Sequence, residues 1–121
     1  MRLLDSNLII YSALPEYSYL RPLVKSPDGA ASTISRLEVL GFHRLDEQHK
    51  RYFEVVFTLL PLFPITDPIL ETAIRFRQQR KLSVGDAIIA ATAYLHHLEL
   101  NTRNVRDFDW IPGLQLHNPV V

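Results

Sequence analysis

The chain has 121 residues, 47% of them hydrophobic, and its 13 basic residues balance its 13 acidic ones. This length and apolar content predict a single folded domain over residues 1–121 and argue against disorder. The lack of cysteine excludes a disulfide framework and thiolate chemistry, and the zero net charge removes the global attraction typical of many nucleic-acid binders.

The first third of the chain alternates short apolar runs with helical patterns. Residues 3–4 are predicted as a buried strand that runs directly into a helix at Asp5. That apolar run is too short for a signal peptide, and no stretch reaches membrane-spanning length, so we expect a soluble cytoplasmic protein. Three prolines allow at most a short helix between residues 15 and 29, and residues 30–33 are predicted as a second strand before a helix that contains Glu38.

The middle of the chain contains two amphipathic helices separated by a short strand. Residues 47–60 have a helical apolar period at Tyr52, Phe53, Val55, Val56 and Leu59. Residues 62–65 include a proline, which favours an edge strand. Asp67 and Pro68 predict a helix start as cap and first residue, and the apolar side chains expected to face inward are Ile69, Leu70, Ala73, Ile74 and Phe76.

The last third contains the most apolar helix, residues 84–98, which we expect to be buried. Residues 98–100 and 113–117 are predicted as a fourth and a fifth strand. Because short strands alternate with helices, we predict an α/β fold in three layers, with a short, mostly parallel sheet of about five strands flanked by helices.

Four acidic residues recur at the boundaries of these elements: Asp5, Glu38, Asp86 and Asp107. Each has an ordinary structural explanation. Asp5 could cap its helix, Ser35 with Glu38 and Ser83 with Asp86 fit capping boxes, and Asp107 could stabilise a turn.

The combination of the four residues favours a metal site. Asp5 and Asp86 are flanked by apolar residues without an adjacent basic residue, and half-buried carboxylates are costly unless paired or bound to a metal. Two or three carboxylates and several waters suffice for Mg²⁺ or Mn²⁺, whereas the His and Cys spacings of zinc sites are absent. Such a site suits phosphodiester hydrolysis by an activated water.

The basic side chains of Arg103 and Arg106 are predicted to contact the nucleic-acid backbone. The basic run from Arg75 to Lys81 either makes similar contacts or is simply a solvated helix face.

Four segments resemble the motifs of PIN domains, and in particular of the VapC-type toxins. Residues 5–7 (Asp-Ser-Asn) are similar to the Asp-Thr-Asn-like opening, and residues 32–38 are similar to the second motif, which ends in Glu38. Residues 82–93 closely resemble the third motif, and residues 101–108 with 111–114 resemble the fourth. Ser6 replaces a common Thr, and Asn101 stands where an apolar strand residue is usual.

The resemblance implies a Mg²⁺- or Mn²⁺-dependent endoribonuclease that is the toxin of a type II toxin–antitoxin pair. It also implies a homodimer that is silenced by a cognate antitoxin. Asp5, Glu38, Asp86 and Asp107 would be the catalytic, metal-binding acids, with Asp5 and Asp86 as direct ligands. The supporting polar residues would be Asn7, Thr102 and Asn104.

Three alternatives remain open at the level of the sequence. The chain could be a catalytically silent PIN-like binding module, a nuclease of RNA processing, or a nuclease of single-stranded DNA. Asp109 rivals Asp107 as the acid that faces the metal, although we favour Asp107. The segment with Tyr11, Tyr17, Tyr19 and Leu20 is either an antitoxin-binding surface or part of the core.

Overall fold

The computed structural model covers Met1–Val121 and contains one parallel sheet of five strands. The strands are β1 (Arg2–Leu4), β2 (Gly29–Ser32), β3 (Leu62–Phe63), β4 (Glu99–Asn101) and β5 (Leu116–His117). The helices are α1 (Ser6–Ser12), α2 (Arg21–Val24), α3 (Thr33–Leu40), α4 (Glu47–Leu59), α5 (Asp67–Gln79) and α6 (Val84–His96). Two 3-10 helices, Pro15–Leu20 and Val105–Asp107, complete the fold. The predicted α/β class is confirmed.

The order of the strands in the sheet is β3-β2-β1-β4-β5. The chain therefore adds strands on one side of β1 and then crosses to the other side to form β4. A reversal of this kind creates a crevice at the carboxyl ends of the two central strands, which is where open parallel sheets place their sites. Leu4 is the register partner of Asn101, so Asp5 and Thr102 leave the sheet side by side.

Helices cover both faces of the sheet, because successive strand residues point in opposite directions. Leu3 belongs to a core cluster that includes α5 and α6, whereas Leu4 belongs to a second cluster with α3 and α4. Ala30 and Ala31 divide between the two clusters in the same way. This arrangement explains why short strands suffice: Leu3 and Leu4 of β1 and all residues of β2 are buried on one face or the other.

In two helices the buried face differs from the predicted one. In α4 the buried side chains are Phe53, Val56 and Phe57, while Val55 and Leu59 are more than half exposed. In α5 the buried apolar residues Ile69, Ala73 and Phe76 share one face. The prediction of inward-facing Leu70 and Ile74 is wrong, since both are exposed: only one stripe of this helix meets α6 and the sheet.

Three boundaries also move. Thr66, rather than Asp67, precedes α5, so Pro68 is its second residue. Pro64 and Ile65 lie beyond β3, which is nevertheless an edge strand as predicted. The fifth strand is reduced to Leu116–His117, because Gly113 adopts a φ of 82° in a turn. No helix is both long enough and apolar enough to cross a membrane.

Candidate metal centre

Asp5 lies at the carboxyl end of β1, and only 3% of its surface is exposed. Its backbone N–H donates to the carbonyl of Asn101, which continues the pairing of β1 with β4. Its side chain makes no capping hydrogen bond at the start of α1. Instead, Oδ2 accepts a hydrogen bond of 2.7 Å from Oγ1 of Thr102. Asp5 is therefore the N-cap residue of α1 by position, but its side chain does not cap the helix and instead binds Thr102.

Burial raises the pKa of the Asp5 carboxyl above its ordinary value. The hydrogen bond from Thr102 and the nearby backbone amides of Ser6 and Asn7 act in the opposite direction, and the negative charge of Glu38 adds to the rise. A carboxylate in this position is destabilised in its charged form unless a cation approaches it.

Glu38 on α3 reaches the same region through a chain of hydroxyl groups. Ser6 Oγ is 2.8 Å from Glu38 Oε1 and also 2.8 Å from Ser35 Oγ, which is completely buried. Ser32, not Ser35, caps α3 by accepting from the backbone N–H of Ile34. The predicted Ser35–Glu38 capping box is therefore wrong, and the structure gives Ser35 a partner on α1 instead.

Gly85, on the first turn of α6, lies directly against the Glu38 carboxylate. A Cβ atom at this position would overlap Oε2 of Glu38 and stand 2.9 Å from its Cδ. Glycine therefore allows α3 and α6 to bring Glu38 and Asp86 to the same crevice. Sequence reasoning gave Ser35 a different role and missed Gly85. For Ser35, the available signal was a hydroxyl one helical turn before the acid, on the buried face.

Asp86 is held on the first turn of α6, where Ser83 caps the helix by accepting from the Asp86 backbone N–H at 3.1 Å. This part of the predicted capping box is confirmed. Burial raises the pKa of Asp86 to about 6, and the negative charges of Asp5, Asp107 and Glu38 contribute to the rise. The negative charges of the other three acids therefore reach Asp86 and disfavour the ionisation of its carboxyl.

Asp107 is exposed at the end of the 3-10 helix Val105–Asp107, and its carbonyl accepts from Nε1 of Trp110 at 2.9 Å. Asp107 is among the acids whose charge raises the pKa of Asp86. Asp109 is also exposed. Because the charge of Asp107, and not that of Asp109, contributes to the raised pKa of Asp86, Asp107 is favoured as the acid that faces the crevice.

The predicted supporting residues Asn7, Thr102 and Asn104 differ in their contacts. Thr102 is fully buried, and its Oγ1 also accepts from the backbone N–H of Asn104 at 3.0 Å. The side chains of Asn7 and Asn104 make no hydrogen bond with the rest of the chain. Asn101 is buried within β4, where Nδ2 donates to Glu99 and Oδ1 has no partner. β4 therefore includes Asn101, although an apolar residue is usual at this position.

Arg103 and Arg106 are both exposed, in the segment that follows β4. The guanidinium of Arg103 lies 5.3 Å from the centre of the Tyr11 ring and reaches the Tyr17 hydroxyl at 3.5 Å. Contacts with Tyr11 and Tyr17 raise the pKa of Arg103, so its charge is permanent. The basic run on α5 is differently engaged: Arg77 donates to the carbonyl of Leu82, and Arg80 lies over Trp110.

No three His, Cys, Asp or Glu side chains stand at the mutual distances of a complete metal site. The donor set nevertheless fits a hard divalent cation. Its oxygen donors all belong to carboxylates, and the charges of Asp5, Glu38 and Asp107 all reach Asp86 and contribute to its raised pKa. Mg²⁺ keeps several of its waters and is often bound by only one or two carboxylates, so two direct ligands meet its needs.

Comparison with known proteins identifies the fold family. The PIN domain profile matches residues 2–113. The chain belongs to the PIN domain family. This PIN domain is 33% identical over 89 residues to Ribonuclease VapC1 of Rickettsia felis, in a match that covers 64% of the chain and 66%, just under two thirds, of the relative.

Solved structures extend the similarity to the whole PIN domain. A toxin–antitoxin complex from Klebsiella pneumoniae contains a chain that is 33% identical, with a TM-score of 0.79 and coverage of 99% of this chain and 98% of that one. VapBC2 from Rickettsia felis, bound to a DNA fragment from its promoter, matches with a TM-score of 0.78 at 22% identity, covering 97% of both chains. The second likeness shows the fold alone.

Proposed function

We propose that this PIN domain is a cytoplasmic, Mg²⁺- or Mn²⁺-dependent endoribonuclease and the toxin of a type II toxin–antitoxin pair. The observation that carries the proposal is the position of the buried Asp5 carboxylate. It lies at the crevice of a parallel sheet, and Glu38 and Asp107 lie near enough for their charges, with that of Asp5, to raise the pKa of Asp86. The similarity to Ribonuclease VapC1 of Rickettsia felis supports RNA as the substrate.

Asp5 and Asp86 would hold the cation directly, and Glu38 and Asp107 would act through water. When bound, the cation would activate a water for attack on the phosphodiester and offset the charge that develops at phosphorus; the family resemblance implies products with a 5′-phosphate and a 3′-hydroxyl. Thr102 fixes the Asp5 carboxylate through one oxygen, and Ser6 fixes Glu38 in the same way. These two hydroxyls orient the acids before substrate arrives.

Partner binding is the second part of the proposal: a cognate antitoxin and a second copy of the chain. The Klebsiella pneumoniae relative was solved as a toxin–antitoxin complex, which supports an antitoxin here. Leu70, Ile74 and Val84 are each more than 40% exposed and line one groove between α5 and α6. Apolar side chains grouped on a surface are typical of protein interfaces, and we assign this groove to the homodimer.

The deciding experiment compares cleavage of matched single-stranded RNA and DNA oligonucleotides by the purified chain with Mg²⁺ or Mn²⁺. We expect cleavage of RNA, and no cleavage by Asp5→Asn, because this change removes the most buried of the four acids while keeping the shape of the side chain. Thermal unfolding of both proteins checks that the variant is folded. Full activity of Asp5→Asn would refute the site, and DNA cleavage alone would refute the ribonuclease assignment. Absence of any cleavage by the folded wild-type chain would favour a silent binding module.

A further inference from the structure

Three side chains beside the carboxylates form a continuous stacked surface, which we call the aromatic shelf: Tyr11, Tyr17 and Arg103. The rings of Tyr11 and Tyr17 are 5.0 Å apart between centroids and inclined by 31°. The Arg103 guanidinium lies 5.3 Å from the Tyr11 ring centre, and its Nη1 reaches the Tyr17 hydroxyl at 3.5 Å. Tyr19 continues the array, at 6.3 Å from Tyr17.

The chain connects this shelf directly to the carboxylates. Tyr11 lies on α1, the helix that begins immediately after Asp5. Arg103 follows Thr102, whose hydroxyl is bonded to the Asp5 carboxylate at 2.7 Å. Tyr11 is therefore connected through α1 to Asp5, and Arg103 is connected directly to Thr102, the two partners of this hydrogen bond. These connections fix the position of the aromatic shelf relative to the candidate metal centre.

Arg103 has no acidic partner, although it directly follows Thr102, which binds the Asp5 carboxylate. The ion pairs of the chain involve Asp28 with the N-terminus and Arg2, and Asp46 with His49. Arg103 is held by aromatic contacts instead and is exposed to solvent. A guanidinium carries five N–H donors, so an arginine that spends one on a tyrosine hydroxyl keeps the others for a ligand.

The chemistry of this surface fits an unpaired nucleotide. Aromatic and guanidinium planes bind the faces of splayed bases, whereas the bases of a duplex are stacked on one another and cannot reach such a surface. The positive charge also suits the phosphate of the same nucleotide, which the neighbouring carboxylates alone would repel. Tyr11 and Tyr17 are partly exposed, so their rings are accessible at the crevice.

We propose that Tyr11, Tyr17 and Arg103 form a subsite that binds one unpaired base of an RNA strand adjacent to the phosphodiester held at the carboxylates. This inference rests on the ribonuclease function proposed above and adds a determinant of substrate choice to it. The subsite recognises an unstacked base next to the cleaved bond, on one side of that bond only.

The test is a series of short single-stranded RNAs in which one nucleotide at a time is made abasic around the cleavage point. For the wild-type chain, loss of the base at one flanking position should raise KM by about 5- to 150-fold, the range expected for one stacked base. In Tyr11→Ala and Arg103→Gln, KM with the intact RNA should rise by a similar factor. Removal of that same base should then have little further effect.

Matched variants separate the shelf from general damage. Tyr11→Phe keeps the aromatic ring, and its KM should stay close to the wild-type value. Two exposed residues elsewhere serve as controls: Arg51→Gln on α4 and Tyr94→Ala on α6 should leave the base dependence unchanged. Thermal unfolding of each variant identifies any that fails to fold, in which case Tyr17→Leu replaces it.

Equal sensitivity of wild type and shelf variants to the missing base would overturn the proposal. So would a shelf variant that binds RNA normally but loses only its affinity for an antitoxin. Binding of the same RNAs, measured by fluorescence anisotropy in EDTA, tests the base-binding subsite independently of the proposed nuclease activity. If the wild type cleaves nothing yet binds RNA through a base that Tyr11→Ala no longer senses, the nuclease fails and the subsite stands. If it neither cleaves nor binds, both fail.

Discussion

Thr102 donates a hydrogen bond of 2.7 Å from Oγ1 to Oδ2 of Asp5, although the two residues are 97 positions apart in the chain. The parallel pairing of β1 with β4 brings them together, because Leu4 and Asn101 are register partners and the next residue of each strand enters the crevice. One Asp5 carboxylate oxygen is thus fixed by protein.

We predict that Thr102→Val lowers divalent-metal affinity or RNA cleavage by about 10- to 100-fold, the usual effect of losing a residue that orients a metal ligand. Valine keeps the shape of threonine but removes the donor to Asp5. The matched control is Thr92→Val, since Thr92 is equally buried and donates to the carbonyl of Ile88 within α6. Isothermal titration calorimetry with the metal ion measures the change in affinity. Equal losses of affinity in Thr102→Val and Thr92→Val would contradict a specific role for Thr102.

The raised pKa values of Asp5 and Asp86 predict that the metal-free chain loses stability as the pH rises. Both groups hold their protons more tightly in the folded state than in the unfolded state, where the value is near 3.8, and folded Asp86 has a pKa of about 6. The stability is present below about pH 4 and is lost as the pH rises towards 6 and above. The melting temperature in EDTA should therefore be lower at pH 7 than at pH 5.

Asp86→Asn should flatten that pH dependence, because asparagine does not titrate. Asp109→Asn, at an exposed position close in the chain to Asp107, is the control and should leave the profile unchanged. Hydrogen bonding from His49 lowers the pKa of Asp46, so the stability that Asp46 contributes increases as the pH rises. That change is confined to pH values below about 4. A melting temperature that rises steadily from pH 5 to pH 7 in EDTA would be incompatible with this account.

Mn²⁺ or Mg²⁺ should restore the stability that Asp5 and Asp86 cost at neutral pH. A ligand that binds only the folded state stabilises it by about 2.7 kcal/mol at 100 times its dissociation constant. We expect a rise in melting temperature at pH 7.5 that saturates with Mn²⁺ concentration and is abolished in Asp86→Ala. Ca²⁺ and added NaCl at equal ionic strength distinguish specific binding from screening; a shift of equal size in Asp86→Ala would place the ion elsewhere.

Gly85→Ala should reduce cleavage by about tenfold or more without unfolding the chain. The added methyl group would overlap the Glu38 carboxylate, while alanine is favoured over glycine in a helix by about 1 kcal/mol. The shorter acid in the double variant Gly85→Ala with Glu38→Asp should recover part of the activity. Gly113→Ala is the control: its methyl group would meet no atom within 4 Å, so it costs only the backbone strain of a φ of 82°.

The sequence by itself determined the α/β class, the parallel sheet and the placement of Asp5 and Thr102 at strand ends. These features follow from local signals: short apolar runs, helical periods, and the polar turns after strands. Interactions between distant elements were decided only by the tertiary structure. Ser35 binds Ser6 rather than capping its own helix, and Gly85 admits Glu38.

The same division explains the remaining errors. Leu70 and Ile74 satisfy a helical period as well as Ile69 and Ala73 do, and only the position of α6 decides which stripe is covered. Arg103 gives no sign in the sequence that it would lie over Tyr11, because 91 intervening residues first have to bring β4 beside β1. Local pattern fixes which elements form, whereas packing between elements fixes which side chains share the crevice.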